Sequence, residues 1–199
     1  MSFVFSLASG NQHKADEFND LLKNSLIKVV AAPEKLEILE DGVTYTENAL
    51  KKARGYFEKL KVPVMSDDSG LEVASLPGEL GIHTARYGGD GLSPSERNDL
   101  LLKNLQGKKG LERKAEFVCI LCFFYSDDEY YFFEGRLKGE IGLTQQGIKG
   151  FGYDPVFLPE GALEGKSLAE VSEWKKGNSH RALACQQAEK FFKERNGQN

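Results

Sequence analysis

The stretch "FVCILCFFYSDDEYYFFEGRLKGEI", from Phe117 to Ile141, decides the fold class, because it has the pattern of two long strands joined by a short polar turn. Its first half is apolar, aromatic and β-branched, as in a buried strand. From Glu134 onward the second half alternates, with charged side chains on one face and glycine or aliphatic residues on the other. We therefore predict a hairpin with its turn at "SDDE" and with one face of its second strand in solvent.

Before the hairpin, β-favouring runs alternate with segments of helical periodicity. The clearest helix is "TYTENALKKARGYFEKL", from Thr44 to Leu60, where apolar residues recur about every four positions and Thr44 with Glu47 forms a capping box. Other strands are expected at Phe3–Ala8, Ile27–Ala31, Val62–Met65 and Leu71–Val73, and other helices near His13–Leu22, Ser93–Leu105 and Ser179–Arg195. This order predicts an α/β fold with a mixed sheet and flanking helices.

Length and charge limit the class of protein. A chain of 199 residues predicts a single domain. The net charge of −4 argues against a binder of nucleic-acid polymers or membrane surfaces, since either would need a basic field. The opening "MSFVFSLASGN" has no basic region and only a short apolar run, so we expect no signal peptide and a cytoplasmic protein.

The C-x-x-C spacing of Cys119 and Cys122 has two interpretations, a metal site or a pair of core thiols. Residues three apart in a strand point to opposite faces of the sheet, so these two thiols cannot share a zinc ion. We predict that both cysteines, and Cys185, are core residues.

The segment "VMSDDSGLEV", from Val64 to Val73, places two carboxylates between apolar flanks. Because aspartate is depleted from strand interiors, we expect Asp67 and Asp68 to end a strand and Asp68-Ser69-Gly70 to form a tight turn. Such a strand end is either a plain turn or a carboxylate that binds Mg²⁺ or accepts a proton from water. A second acidic segment, "LEDG", supplies Glu40 and Asp41 and by itself is also compatible with a surface turn.

Three further segments are each compatible with a ligand site or with an ordinary loop. "LASGNQHK", ending at Lys14, joins a strand to a helix N-terminus, which favours anions. "GIKGFGYDPVF" is either a flexible loop or a loop whose Phe151 stacks on a base beside Asp154. "NSHRALA" begins the last helix with Asn178 or Ser179 as N-cap and puts His180 and Arg181 in its first turn. The dipole disfavours cations there, so an anionic or electron-rich partner is expected.

Five segments in one order, "SGNQHK", "EDGVTYTENALKKA", "SDDSGLEV", "GFGYDP" and "SHRALA", resemble the inosine/xanthosine triphosphate pyrophosphatase family. The resemblance runs from about Leu7 to the last helix. It implies one domain over residues 1–199, with two lobes around a central nucleotide cleft, Mg²⁺ as cofactor and a homodimer. The chain departs from the family pattern at Trp174 and Asn178, beside the implied base pocket.

The resemblance also implies site residues. Glu40 and Asp68 would bind Mg²⁺, and Asp68 would be the catalytic base. The remaining implied residues contact the substrate: Ser9, Gly10, Asn11, Gln12, His13, Lys14 and Lys52 at the phosphates, Ser69 beside them, and Phe151, Gly152, Tyr153, Asp154, Lys175, His180 and Arg181 around the purine. The implied reaction is hydrolysis of ITP, dITP or XTP to the nucleoside monophosphate and pyrophosphate. The alternatives are a pyrophosphatase for other modified nucleotides and a non-catalytic nucleotide-binding protein.

Overall fold

The computed structural model describes residues 2–197, which form six strands, five α-helices and two short 3₁₀ helices. The strands are β1 (Phe3–Ala8), β2 (Ile27–Ala31), β3 (Val64–Val73), β4 (Lys114–Ser126), β5 (Glu129–Ile141) and β6 (Phe157–Pro159). The helices are α1 (Gln12–Leu21), α2 (Tyr45–Leu60), α3 (Pro94–Asn104), α4 (Ser172–Asn178) and α5 (His180–Gly197). The 3₁₀ helices are Gly81–Arg86 and Gly110–Arg113. None of these helices is long and apolar enough to cross a membrane.

All six strands belong to one sheet, in the order β2-β1-β3-β4-β5-β6. Strand β1 pairs in parallel with both β2 and β3, whereas β5 and β6 are antiparallel. The predicted α/β fold with a mixed sheet is therefore confirmed. The parallel strands are connected through helices, as parallel neighbours require.

The hairpin that decides the fold class is formed by β4 and β5, which are separated by Asp127 and Asp128 alone. Along β5 from Glu134, exposed or half-buried positions alternate with buried ones, as predicted. Cys119 and Cys122 lie buried in β4 with free thiols, and Cys185 is also buried and free. The prediction of core cysteines is confirmed.

The predicted turn at Asp68-Ser69-Gly70 is wrong, because β3 continues without interruption from Val64 to Val73. Asp67 and Asp68 lie in the strand interior, and both are buried. Gly70 is required for close packing rather than for a turn, since a Cβ at this position would overlap the carbonyl oxygen of Gly81. The sequence preference against strand aspartates was overridden by cationic and hydrogen-bonding partners from other elements.

Helix α2 begins as predicted at the Thr44 cap, whose side chain accepts the Glu47 N–H at 3.1 Å. The predicted capping box is only half formed. The Glu47 carboxylate accepts the N–H of Val43, at 2.7 Å, and not the N–H of Thr44. Near the C-terminus, Asn178 is the last residue of α4, a helix that the sequence analysis did not predict. Of the two N-caps expected for the last helix, Asn178 is therefore excluded, whereas Ser179 directly precedes α5.

The chain divides into two compact units. Unit 1 contains the residues up to Asp68, then Cys119–Gly135, then the residues from His180 onward, and unit 2 contains Ser69–Val118 and Arg136–Ser179. Unit 1 has two apolar clusters, one built around Phe5, Phe123 and Phe192 and the other around the α2 face. Unit 2 has one cluster of its own. The single domain with a cleft between two lobes stays a prediction.

Candidate active site

Strand β3 and helix α2 bring the predicted acidic residues together in unit 1. The Asp67 carboxylate (Oδ2) contacts the Lys14 ammonium at 2.7 Å, and the two side chains are 1% and 17% exposed. The Lys52 ammonium donates to the Asp67 carbonyl oxygen at 2.8 Å and contacts Glu40 Oε2 at 2.9 Å. Asp68 is the next residue on β3 and is also buried. Glu40, Asp67 and Asp68, here called the acidic centre, therefore surround two lysines.

The two neighbouring aspartates have opposite shifts in pKa. Burial would raise the pKa of Asp67, but attraction by Lys14, Lys52 and Arg181 outweighs it and lowers this pKa to about 2. At Asp68 burial dominates and raises the pKa to about 6, although Lys52, Lys14 and a hydrogen bond from Asn48 oppose it. Asp67 is therefore a fixed anion near neutral pH, whereas Asp68 has a proton affinity suited to a general base.

The acidic centre fits a divalent cation. Burial would lower the pKa of the Lys52 ammonium, but the charges of Asp67, Glu40 and Asp68 raise it above its ordinary value. When all groups are ionised, the carboxylates of the acidic centre and of Glu17 outnumber the cations Lys14, Lys52 and Arg181 by four to three, so the centre can accept further positive charge. Among residues 2–197 no group of three or more His, Cys, Asp or Glu side chains is arranged to hold a metal ion. Mg²⁺ needs only one or two carboxylates, because it keeps waters and binds substrate phosphates, and the oxygen donors of Glu40 and Asp68 suit it.

The predicted phosphate segment forms the start of α1. Asn11 is the N-cap, and its side chain accepts the N–H groups of His13 and Lys14 at 3.0 and 3.4 Å. The Ser9 hydroxyl accepts the Asn11 N–H at 3.2 Å. An anion at this helix end would therefore compete with side-chain acceptors for these three donors, and Lys14 would supply the charge. The Gln12 side chain donates to Asp16, and His13 is exposed.

In unit 2 the predicted base-binding residues Phe151, Asp154 and Lys175 lie together. Asp154 Oδ2 accepts the Phe151 N–H at 2.9 Å and contacts the buried Lys175 ammonium at 2.8 Å. The same ammonium lies 4.9 Å from the centroid of the Phe151 ring. Gly150 has a φ of 80°, and a Cβ there would overlap the Asp154 carboxylate. One carboxylate thus binds both the backbone of Phe151 and the Lys175 ammonium.

The other predicted substrate residues of unit 2 have structural partners. The Gly152 carbonyl accepts the Asn98 side-chain N–H at 3.0 Å, and the buried Tyr153 donates its hydroxyl to the Thr84 carbonyl at 2.9 Å. Ser69 is half-buried in β3. Their roles in substrate binding stay predictions.

His180 and Arg181 open α5 in unit 1, and both are buried. The Arg181 guanidinium contacts Glu17 Oε2 at 3.1 Å and contributes to the low pKa of Asp67. The predicted anionic partner for the first turn of this helix is therefore confirmed. Lys175 belongs to unit 2, so a joint base-reading role for Lys175, His180 and Arg181 stays a prediction.

Sequence reasoning missed three residues of this region, Asn48, Glu17 and Lys35, and it assigned no partner to Asp67. Asn48 contacts Asp68, Glu17 contacts Arg181, Asp67 holds Lys14, and the Lys35 side chain lies where a Cβ at Gly10 would be. Helical spacing could have indicated Asn48, because it precedes Lys52 by four positions on α2 and therefore shares its face. Lys35 lies in a loop without a motif, and no sequence signal marks it.

Comparison with known proteins gives one consistent result. The model of the Ham1 family matches residues 5–191. A protein of Methylacidiphilum infernorum named dITP/XTP pyrophosphatase is 42% identical over 192 residues, covering 94% of this chain and 93% of that protein. Two solved Ham1 proteins have similar structures. The one from Coxiella burnetii has a TM-score of 0.85 at 31% identity, and the one from Staphylococcus aureus has 0.83 at 34%; each comparison covers 96% of this chain and 99% of the other.

Proposed function

Since this chain belongs to the Ham1 family, we propose that it hydrolyses ITP, dITP and XTP to the nucleoside monophosphate and pyrophosphate. Relatives named dITP/XTP pyrophosphatase supply the substrate class. The observation that carries the proposal is the pair of aspartates on β3, one held ionised by Lys14 and the other with its pKa raised to about 6 by burial. A triphosphate needs cations, and its hydrolysis needs a base.

In the proposed reaction, Asp68 accepts a proton from the water that attacks the phosphoanhydride. Lys14 and Lys52 bind phosphate oxygens and stabilise the negative charge that grows on them. Glu40 and Asp68 would hold Mg²⁺, which when bound neutralises phosphate charge. Asp67 keeps the Lys14 ammonium in place before the substrate arrives.

The purine is bound by the unit 2 cluster of Phe151, Asp154 and Lys175. Phe151 stacks on the base, and the Lys175 ammonium donates a hydrogen bond to the keto oxygen at purine position 6. Adenine carries an amino donor at that position, and a lysine ammonium has no acceptor to offer it. With adenine, the Lys175 ammonium and the amino group would face each other as two donors, and a polar mismatch of this kind can discriminate by about 10⁴-fold. The proposal also includes a homodimer, which rests on the family resemblance, and a cytoplasmic location, which was expected from the sequence before the resemblance was considered.

The decisive experiment is product analysis by ³¹P NMR and chromatography, with Mg²⁺ and a panel of ITP, dITP, XTP, ATP, GTP and a modified pyrimidine triphosphate. We expect monophosphate and pyrophosphate from the first three substrates, at least about 10²-fold faster than from ATP. Hydrolysis in ¹⁸O-labelled water identifies the phosphorus attacked, because the label enters that product.

Three results would contradict this proposal. Turnover mainly of the pyrimidine would indicate a pyrophosphatase for other modified nucleotides. Tight binding of ITP without any product would indicate a non-catalytic nucleotide-binding protein. Release of inorganic phosphate with a diphosphate would place the attack at a different bond.

A further inference from the structure

Asn48 is a buried polar residue in the interior of a helix, and neither the family resemblance nor the proposed mechanism assigns it a role. It lies in the second turn of α2 and is 2% exposed. Asparagine is a poor helix former, and a buried amide is unfavourable unless its polar groups are paired. A residue of this type at this position therefore calls for specific partners.

Both ends of the Asn48 amide have partners, and these belong to the two segments that supply the predicted metal ligands. Its oxygen (Oδ1) accepts the N–H of Gly42 at 2.8 Å, two residues after Glu40. Its side chain also lies close enough to the Asp68 carboxylate to lower the pKa of that group as a hydrogen-bond partner. A carboxylate can only accept, so the amide nitrogen would be the donor. One side chain thus connects the Glu40 segment to strand β3.

The contact between Asn48 and Gly42 is tight. A Cβ added at Gly42 would lie 2.6 Å from the Asn48 oxygen and 2.8 Å from the Glu47 Cβ. The absence of a side chain at Gly42 is therefore what allows the Glu40 segment to approach α2 so closely. The distance between this segment and the helix depends on both residues.

Lys52 makes a second connection one turn further along α2. Its ammonium contacts Glu40 and donates to the carbonyl of Asp67. Residues four apart lie on the same helix face, so Asn48 and Lys52 bridge the same two segments side by side. The Lys52 bridge is temporary in the proposed reaction, because its ammonium moves to phosphate. The neutral Asn48 bridge has no such competing partner.

We propose that Asn48 is a positioning residue that holds Glu40 and Asp68 at the spacing needed to bind one divalent cation, an inference that rests on the proposed function. Asn48 itself touches neither the cation nor the substrate. Partners that orient metal ligands in this way typically contribute 10-fold to 100-fold in metal affinity. Because metal binding can be measured without turnover, the inference has a readout independent of activity.

The test measures Mn²⁺ binding by electron paramagnetic resonance, without nucleotide, in wild type and Asn48→Ala. We expect the dissociation constant to rise about 10-fold to 100-fold in Asn48→Ala. At saturating metal, kcat should fall by a similar factor, while the KM for ITP changes by less than about three-fold, because Asn48 does not contact the substrate.

The matched control is Thr44→Ala. Thr44 caps the same helix and borders the same segment, but its side chain bonds Glu47 and not Asp68. We expect this variant to lower the thermal midpoint, because the helix loses its N-cap, and its Mn²⁺ affinity should stay within about two-fold of wild type. Equal weakening of Mn²⁺ binding in both variants would overturn the positioning role in favour of general loosening of the segment. Wild-type affinity in Asn48→Ala, or no Mn²⁺ binding by the wild type, would also overturn it.

If Asn48→Ala does not fold, Asn48→Ser is measured in its place, since a hydroxyl can keep one of the two hydrogen bonds. Asn48→Ser should show a smaller loss of Mn²⁺ affinity than the loss expected for Asn48→Ala. An Mn²⁺ affinity equal to that of wild type would overturn the inference. Failure of the proposed function would be detected by the product analysis, independently of the Mn²⁺ binding measurements. In that case the wild type produces no monophosphate and pyrophosphate, whatever the variants bind.

Discussion

At the scale of single residues, the most informative comparison is between Asp67 and Asp68. They are adjacent in one strand and both are buried, yet the pKa of the first is lowered to about 2 and that of the second is raised to about 6. The difference comes from their partners: Lys14 forms an ion pair with Asp67, whereas Asp68 receives a neutral hydrogen bond from Asn48. Because burial dominates at Asp68, its carboxylate has a proton affinity suited to catalysis and costs stability when it is ionised.

This cost predicts that Asp68→Asn stabilises the fold. The pKa of Asp68 in the folded protein is raised, so its contribution to stability is fully present below about pH 4 and is lost as the pH rises through about 6. The asparagine variant avoids that loss. We expect its free energy of unfolding at pH 8, without metal, to exceed that of wild type by roughly 1 to 3 kcal/mol, with little difference at pH 4. Its turnover should fall by about 10²-fold or more.

Urea denaturation at both pH values, with EDTA present, measures the effect on stability. Asp90→Asn is the control, because Asp90 is exposed. It should change neither the stability difference between the two pH values nor the turnover. A wild type that is more stable than Asp68→Asn at pH 8 would show that burial does not dominate the environment of Asp68.

Sequence alone identified most of the residues in this region but not their partners. The roles of Glu40, Lys52 and Asp68 were implied by the family resemblance, whereas Asp67 meets Lys14 from 53 positions away and Arg181 meets Glu17 from 164 positions away. A single sequence contains no local signal for such pairs. The sequence predicted that Arg181 needs a partner, because the dipole of a helix N-terminus disfavours a cation, but it did not identify Glu17 as that partner.

At the scale of elements, strand bounds were predicted well where the pattern is local. Phe3–Ala8 and Ile27–Ala31 coincide with β1 and β2. Strand β3 was predicted in two pieces, because Asp-Asp-Ser-Gly is typical of a turn and its stabilising contacts come from other elements. Gly70 belongs to the strand since residues of the 3₁₀ helix Gly81–Arg86 pack directly against its backbone.

This packing predicts that Gly70→Ala is destabilising. The added methyl group would overlap the Gly81 carbonyl and lie 2.8 Å from the Thr84 hydroxyl oxygen, and backbone atoms cannot move away cheaply. We expect a loss of about 1 to 3 kcal/mol in the free energy of unfolding, measured by thermal or urea denaturation.

Gly177→Ala is the matched control, because Gly177 lies in helix α4 with no atom within 4 Å of an added Cβ. Alanine there should be neutral or stabilising by up to about 1 kcal/mol, since glycine is a poor helix former. If the two variants were equally stable, close packing at Gly70 would not be the reason for the glycine.

At the scale of the whole molecule, the core of unit 1 depends on helix α5. Phe192 is fully buried, and its ring centroid lies 4.8, 5.8 and 5.2 Å from those of Phe3, Phe5 and Phe123. Residues from β1, β4 and α5 therefore meet at one ring. The sequence predicted these elements but not this contact, because apolar periodicity shows which face is buried and not what it is buried against.

Phe192→Ala should destabilise the protein by about 3 to 5 kcal/mol, as expected for truncation of a buried aromatic ring that leaves a cavity. The neighbouring Phe191→Ala is the control, because Phe191 is only partly buried and should cost clearly less. The urea midpoints of the two variants measure the two losses of stability. Equal losses would mean that α5 is not anchored through Phe192.

The division of the chain into units has a consequence for its synthesis. Unit 1 is assembled from three separate segments, and a ribosome makes α5 after all its other parts. At roughly 5 to 20 residues per second, the interval between Gly135 and His180 lasts on the order of seconds. During that time the nascent chain contains the apolar faces of β1 and β4 without the helix that buries them. These faces are the ones that a chaperone acting during translation would meet, whereas the segments of unit 2 are complete before the last helix is made.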